Sequence, residues 1–200
     1  MGQLIVSVGW NGMALAADGR AVRVHQDGQK EVVAVRRLYP LGTHGVLLVA
    51  GGPMAVGRVR RRVEGARGQD VQGLKDVVGA ALLEAAQGGE VFRREEEVNG
   101  PLIVVLAGWD VGGERDGLSA CAVSWSETGL TWEPILDAWM FPRRRVQEAR
   151  LKRMARRNPS AQEMLQEMRL ILHNLTWLRQ EVGPPHAYGL LTREGFNGLG

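Results

Sequence analysis

Histidine and cysteine are the residue types in this sequence that most often bind metals, and cysteine also attacks carbonyl groups. The four histidines are His25, His44, His173 and His186. They lie in four separate segments without metal-ligand spacing, so we expect no metal site, and we expect no other cofactor either. The single cysteine, Cys121, lies in the apolar run Ala-Cys-Ala-Val, where a free cysteine normally behaves as a small buried apolar residue. A cysteine nucleophile is therefore not predicted.

The segment 143–157 is strongly basic. It contains eight Arg or Lys residues and one acid, Glu148, and so has a local net charge of +7 in a chain whose net charge is +3. Three interpretations remain open for it. It can be the solvated face of a helix, it can pair with acidic residues such as Glu95, Glu96 and Glu97 of another subunit, or it can neutralise nucleic-acid phosphates. The last is the least favoured, because the segment has none of the interleaved aromatic residues that single-strand binders use.

The apolar pattern positions these residues on alternating blocks of strands and helices. We expect strands over 4–8, 12–17, 32–35, 46–50, 102–107, 118–125 and 188–192, and helices after Pro53, after Asp70, over 143–157 and after Ser160. Asn11-Gly12 marks a hairpin turn, and Ser160 with Glu163 forms a capping box. Hairpins favour antiparallel sheets, and helices in pairs suggest a layer on each outer face. The expected fold is α+β: a four-layer αββα sandwich, with two antiparallel sheets between two helix layers, in one domain over 1–200.

Five segments of the first 110 residues carry a resemblance to a known family. They are 4–8 (LIVSV), 11–19 (NGMALAADG), 35–39 (VRRLY), 49–52 (VAGG) and 103–110 (IVVLAGWD). In order and spacing they resemble the proteasome β-subunit family of the Ntn-hydrolase superfamily, most closely its HslV-type members. The last ninety residues match that family only in the order of their elements.

The resemblance implies amide hydrolysis by a threonine at the start of the mature chain. The α-amine of such a residue titrates near ~8 and can act as the base, while a lysine and an aspartate organise the charge. Asp18 matches the aspartate, and the family's spacing then places the nucleophile position on Gly2, which we expect to begin the chain after removal of Met1. Glycine provides the amine but no attacking group. Asp18 can be a retained charge site or can simply cap a turn.

The resemblance places the lysine on Ala34 in one register and on Arg37 in another, and Lys30 lies four residues from Ala34, about one register too far along a strand. Arg37 could replace the charge of the lysine but could not shuttle a proton, because guanidinium does not deprotonate in proteins. Gly51, with Gly52, could supply an oxyanion-binding N–H group, or could only allow a close approach of strand and helix.

The favoured hypothesis is a proteasome-like or HslV-like subunit that forms a homo-oligomer, possibly a ring, and has lost the threonine chemistry. It would be a structural or binding pseudo-peptidase. One alternative is an active peptidase or amidase with a non-standard nucleophile; Ser7 would serve only after cleavage between Val6 and Ser7, which would destroy the first strand. A weaker alternative is an Arg-rich nucleic-acid-binding scaffold.

Location and partners follow from composition. The longest apolar runs fall short of the roughly 18 to 20 residues of a membrane span, and no charged-then-apolar leader opens the sequence. One cysteine requires no oxidising compartment, so we expect a cytoplasmic protein. We expect no membrane partner and no nucleic acid, and the sequence names no unfoldase or cap.

Overall fold

The computed structural model describes residues 2–25, 27–64, 71–87, 102–110, 117–126, 129–179 and 181–199. The strands are β1 (Leu4–Gly9), β2 (Gly12–Ala17), β3 (Arg20–Val24), β4 (Lys30–Ala34), β5 (Leu38–Leu41), β6 (Gly45–Ala50), β7 (Ile103–Asp110), β8 (Gly117–Ser126), β9 (Gly129–Pro134), β10 (Ala138–Phe141), β11 (Ala187–Thr192) and β12 (Gly195–Leu199). The helices are α1 (Pro53–Glu64), α2 (Val71–Gln87), α3 (Arg145–Ala155) and α4 (Ala161–Leu178).

Every strand pair is antiparallel. One five-stranded sheet has the order β10-β1-β2-β11-β12, a second has the order β5-β6-β7-β8-β9, and β3 and β4 form a separate two-stranded sheet. The hairpin predicted at Asn11-Gly12 is present, since Gly9 pairs with Gly12 at the end of β1 and β2. The backbone carbonyl of Leu191 in β11 passes so close to Gly12 that a side chain there would clash with it.

Side chains that alternate along the strands contribute to three apolar clusters. On β1, Leu4 and Val6 face the second five-stranded sheet, whereas Ile5 faces α4, as the two-residue period of a strand requires. The third cluster lies between α1, α2 and the outer face of the β5–β9 sheet, where Leu47 and Val49 of β6 pack. The start of β1 is thus held from both faces, which fixes the residues that precede it.

The expectation of a four-layer αββα sandwich with two sheets is wrong. The described residues form twelve strands in three antiparallel sheets, together with four helices. The difference includes the hairpin of β3 and β4, where the sequence predicts only a polar stretch and a strand over 32–35. β4 is largely exposed, β3 is exposed at Arg23 and Val24, and both strands carry charged residues, so they lack the apolar pattern from which buried strands are predicted.

The basic segment forms a shorter helix than expected, over Arg145–Ala155 instead of 143–157. The predicted capping box of α4 is confirmed. The Glu163 backbone N–H donates to Ser160 Oγ at 3.2 Å, and the Ser160 backbone N–H donates to Glu163 Oε2 at 2.7 Å. The Ser160 backbone N–H and the Ser160 hydroxyl, which both donate to Glu163 Oε2, lower the pKa of Glu163.

Candidate functional site

The β1–β2 hairpin returns Asp18 to the start of the chain. Leu4 pairs with Ala17, so Gln3 and Asp18 extend the ladder by one step. The Asp18 backbone N–H donates to the Gln3 carbonyl at 3.0 Å, and the Gln3 N–H donates to Asp18 Oδ1 at 2.8 Å. The carboxylate therefore lies beside the residue that follows Gly2.

Arg37 reaches this carboxylate from the segment between β4 and β5. Its Nε lies 3.2 Å from Asp18 Oδ1, and both side chains are at most 2% exposed. Its Nη2 donates to the Arg20 carbonyl at 2.7 Å, and its own carbonyl accepts from the Val49 N–H at 2.8 Å. The guanidinium is thus held by a buried ion pair and by the backbone.

Burial governs the electrostatics of the pair. Desolvation raises the pKa of Asp18, against the charge of Arg37 and the Gln3 N–H group, which lower it. Desolvation likewise lowers the pKa of Arg37, against the attraction of Asp18. Asp18 Oδ2 accepts no hydrogen bond from the described residues, so the carboxylate is only partly satisfied. The cost of dehydration therefore exceeds the attraction on both sides of this ion pair.

The Arg37 guanidinium also fills the space in which a side chain at position 2 would begin. A Cβ built on Gly2 would lie 2.5 Å from Arg37 Nη2 and closer still to Cζ and Nε. Such separations are far inside van der Waals contact, which for heavy atoms lies at about 3.5–4 Å. Gly2 is itself buried, so any larger residue would have to displace Arg37 from Asp18.

Of the three candidates for the lysine position, only Arg37 contacts Asp18. Ala34 lies exposed on β4 opposite Arg20, and Lys30 is exposed at the far end of the same hairpin opposite Val24. The sequence leaves the register between Ala34 and Arg37 open. The contact with Asp18 favours Arg37, and its assignment to the lysine position stays a prediction.

Gly51 lies where β6 passes into α1, with φ of +145°. A Cβ there would be 3.1 Å from Leu102 Cδ1 and 3.2 Å from Leu102 Cα, which is a tight approach. Gly52 offers its carbonyl to the Val56 N–H at 3.0 Å as α1 begins. These contacts account for glycine at position 51 through close packing, and the oxyanion role of its N–H stays a prediction.

The other two candidate nucleophiles, Ser7 and Cys121, are both buried within strands. Ser7 is buried in β1 between β2 and β10, and its Oγ donates to the Asp137 carbonyl at 3.2 Å. Cys121 is buried in β8, and burial raises the pKa of its thiol, which disfavours the reactive thiolate.

Metal-binding side chains do not converge in the part of the chain that the structure describes: no group of three or more His, Cys, Asp or Glu residues is placed to hold an ion. His25 and His44 follow β3 and β5, whereas His173 lies within α4 and His186 directly precedes β11. Burial lowers the pKa of His186, and His173 and Arg20 lower it further. Across the described ranges, no helix has the length and apolar character that crossing a membrane requires.

Half of the basic segment is neutralised within the chain. The ion pairs are Arg143–Glu133, Arg144–Glu181, Arg150–Glu167 and Lys152–Glu148. Sequence reasoning could not find the first three, because the acidic partners come from other elements. The acidic residues Glu95, Glu96 and Glu97, proposed as partners in another subunit, lie outside the described residues.

No protein-family model matches the sequence, and no curated protein matches it. Solved structures do. A Gly-1 mutant of Anbu from Hyphomicrobium sp. strain MC1 has a TM-score of 0.73 at 17% identity, over 100% of this chain and 86% of that one. A structure of the helical assembly of the Anbu complex from Pseudomonas aeruginosa has a TM-score of 0.72 at 14% identity, over 98% and 85%. Anbu, the ancestral beta-subunit, from Yersinia bercovieri has 0.72 at 12%, over 98% and 86%.

These structures correct the expected HslV-type resemblance. The similar chains are Anbu proteins, a distinct proteasome-like family, and at these identities what they share with this chain is the fold. The segments behind the HslV-type prediction form the β1–β2 hairpin, the approach to β5, the β6–α1 junction and β7. They define elements of the fold and cannot separate one proteasome-like family from another.

Proposed function

We propose that this chain is an Anbu-like subunit of a proteasome-like kind, which assembles with copies of itself and has no N-terminal nucleophile. The proposal treats residues 1–200 as one domain of a cytoplasmic protein. The observation that carries it is the position of the Arg37 guanidinium, which lies against Gly2 and is paired with Asp18.

N-terminal nucleophile chemistry requires a hydroxyl or thiol on the residue that also supplies the amine. Gly2 has neither, whether or not Met1 is removed. Arg37 cannot accept a proton, and Asp18 is engaged with Arg37 and the Gln3 N–H group. The residues in the three catalytic positions thus form a buried structural contact, which supports a non-catalytic subunit.

Self-assembly is supported by the outward face of α4. Leu170, Trp177 and Leu178 are 54%, 80% and 70% exposed, although the same helix buries a full apolar stripe on its other side. Exposed aromatic and aliphatic side chains grouped on one helix are characteristic of protein interfaces. One of the similar structures is a helical assembly of Anbu, which agrees with this use of the fold.

The alternatives have less support. A working peptidase would need Ser7 or Cys121, and both are buried within sheets. A nucleic-acid scaffold would need free basic groups along α3, yet four of the eight in segment 143–157 are paired within the chain. Neither alternative explains why Arg37 is buried against Gly2.

Catalytic status is tested with an electrophilic peptide probe and intact mass spectrometry. We expect no covalent adduct and no hydrolysis of fluorogenic peptides by the wild-type chain. An adduct attached through oxygen or sulfur at the first residue would overturn the non-catalytic assignment.

Assembly is tested separately by sedimentation velocity. We expect a species larger than the monomer, and we expect Trp177→Gln with Leu170→Gln to shift it toward the monomer. Leu136→Gln is the matched control, because Leu136 is 83% exposed but lies outside α4. A wild-type chain that stays monomeric at micromolar concentration would refute the assembly part of the proposal.

A further inference from the structure

A cleft of about 460 Å³ opens where the two five-stranded sheets expose neighbouring edge strands, β5 and β12. Its walls include Leu38 and Pro40 of β5, Ala187 and Tyr188 of β11, and Phe196 and Gly198 of β12. Edge strands present backbone groups that have no ladder partner on their outer side. The cleft therefore combines an apolar wall with an open strand edge.

One end of the cleft is closed by the turn between β5 and β6. The Phe196 N–H donates to the Thr43 carbonyl at 2.7 Å, so it points away from β11. Backbone groups of residues i and i+2 point to the same side of a strand, and Gly198 must therefore direct its N–H and C=O away from β11 as well. Gly198 is exposed, and no backbone bond to it outside the β11–β12 ladder occurs among the described residues. Beyond the closed end, β12 therefore offers the backbone N–H of Gly198 as a donor and its C=O as an acceptor.

The charge of the cleft is positive at neutral pH. Arg36 is exposed, its Nε donates to the Leu38 carbonyl at 2.9 Å, and its Cζ lies 5.4 Å from the centre of the Tyr39 ring. These contacts orient the guanidinium, and over the described ranges no carboxylate lies within ion-pair distance of it. Glu64 lines a smaller adjoining hollow but pairs with Arg60 at 3.5 Å.

His186, the other basic group in the lining, is held by two hydroxyl groups. Its Nε2 lies 3.2 Å from Thr176 Oγ1, and its Nδ1 lies 3.3 Å from the Tyr188 hydroxyl. Burial lowers the pKa of His186, which disfavours a positive charge on its ring. No described Asp or Glu lines this cleft. Arg36 is thus the one described lining residue with a permanent charge.

We propose that this cleft binds an extended acidic peptide segment of a partner protein, which adds as a strand to β12 at Gly198. A carboxylate of the peptide pairs with Arg36. Apolar side chains at alternate positions of the peptide pack on Leu38 and Phe196. Strand addition supplies affinity through backbone bonds, and the charge and the apolar wall select the sequence. The site uses none of the outward residues of α4, so it is independent of the proposed self-assembly.

Fluorescence anisotropy with a labelled, end-capped peptide of alternating Glu and Val tests this proposal. We expect saturable binding, at least tenfold weaker binding by Arg36→Glu, and a smaller loss in Arg36→Lys, which keeps the charge but loses the contacts that orient the guanidinium. We also expect at least tenfold weaker binding by Gly198→Pro, which removes the outward N–H group but leaves the β11–β12 ladder intact, and near-native binding by Gly198→Ala. Arg153→Glu, an exposed arginine of α3, controls for net charge.

Several outcomes would overturn the proposal. Equal binding of a peptide of alternating Gln and Val, or equal loss in Arg153→Glu and Arg36→Glu, would show that Arg36 recognises no carboxylate. Full binding by a folded Gly198→Pro variant would exclude strand addition, with far-UV circular dichroism as the check on folding. No saturation at millimolar peptide would exclude the site. A change of sedimentation coefficient in Arg36→Glu without peptide would show that the cleft is a contact between copies of this chain.

Discussion

Replacing Arg37 by methionine should destabilise the protein severely, because it leaves the Asp18 carboxylate buried without its cation. The two side chains are at most 2% exposed and their charged atoms are 3.2 Å apart. Removal of one partner from such a pair typically costs about 3–5 kcal/mol. Methionine keeps much of the volume of arginine, so the loss reports charge and hydrogen bonding more than packing. The lost bond to the Arg20 carbonyl belongs to this cost.

Adding Asp18→Asn to Arg37→Met should recover at least about 2 kcal/mol of that loss, since neutral replacement of a buried ion pair is often tolerated. Asp18→Asn alone should cost at least as much as Arg37→Met alone. The buried Arg37 guanidinium cannot lose its charge, whereas burial raises the pKa of Asp18, so that carboxyl can take up a proton when Arg37 is gone. The measurement is urea unfolding followed by tryptophan fluorescence, at one fixed protein concentration because assembly would shift apparent stability.

The pH dependence provides a second readout of the same pair. A carboxyl whose folded-state pKa is raised stabilises the fold most when it is protonated, and it loses that contribution as pH rises through the folded-state pKa. Arg37→Met should therefore be closest to wild-type stability near pH 4 and furthest from it at neutral pH. The reasoning is refuted if Arg37→Met stays within about 1 kcal/mol of wild type, or if Asp18→Asn fails to rescue it.

Three other predictions concern local features. Gly2→Ala should cost about 1–3 kcal/mol by forcing Arg37 from Asp18, and under about 1 kcal/mol in an Asp18→Asn, Arg37→Ala background, as measured by urea midpoints; equal costs in both would contradict the steric argument. Cys121 should react with a thiol reagent in 6 M guanidinium but resist it in the native chain, because burial raises its pKa; rapid native labelling would contradict this. Ser160→Ala should lower stability by about 1 kcal/mol in the same unfolding assay through loss of the α4 cap, whereas Ser160→Thr should retain most of it.

Local patterns in the sequence predicted the elements whose causes are local. The β1–β2 hairpin follows from Asn11-Gly12, and the start of α4 follows from Ser160 and Glu163. The β3–β4 hairpin was not predicted, because its strands are partly or fully exposed and show no alternation of buried and exposed apolar residues. The predicted number of sheets was wrong for the same reason, since β3 and β4 form the third sheet.

The site was predictable only in part. Spacing from Asp18 pointed to Gly2 and left Ala34 and Arg37 as alternatives, because residues between β4 and β5 have no repeating pattern that fixes a register. The contact of Arg37 with Gly2 depends on how the β4–β5 segment folds over the chain start, which is a tertiary property. The five sequence segments could not distinguish one proteasome-like family from another, because these segments form elements that are common to the fold.

The guanidinium packed on Gly2 also constrains how this chain can change over evolutionary time. A side chain with a hydroxyl group at position 2 would meet Arg37, and a neutral residue at position 37 would leave Asp18 buried without a counter-charge. Positions 2 and 37 are therefore expected to change together. Under the proposed non-catalytic assignment, selection on folding alone would disfavour a single substitution at position 2.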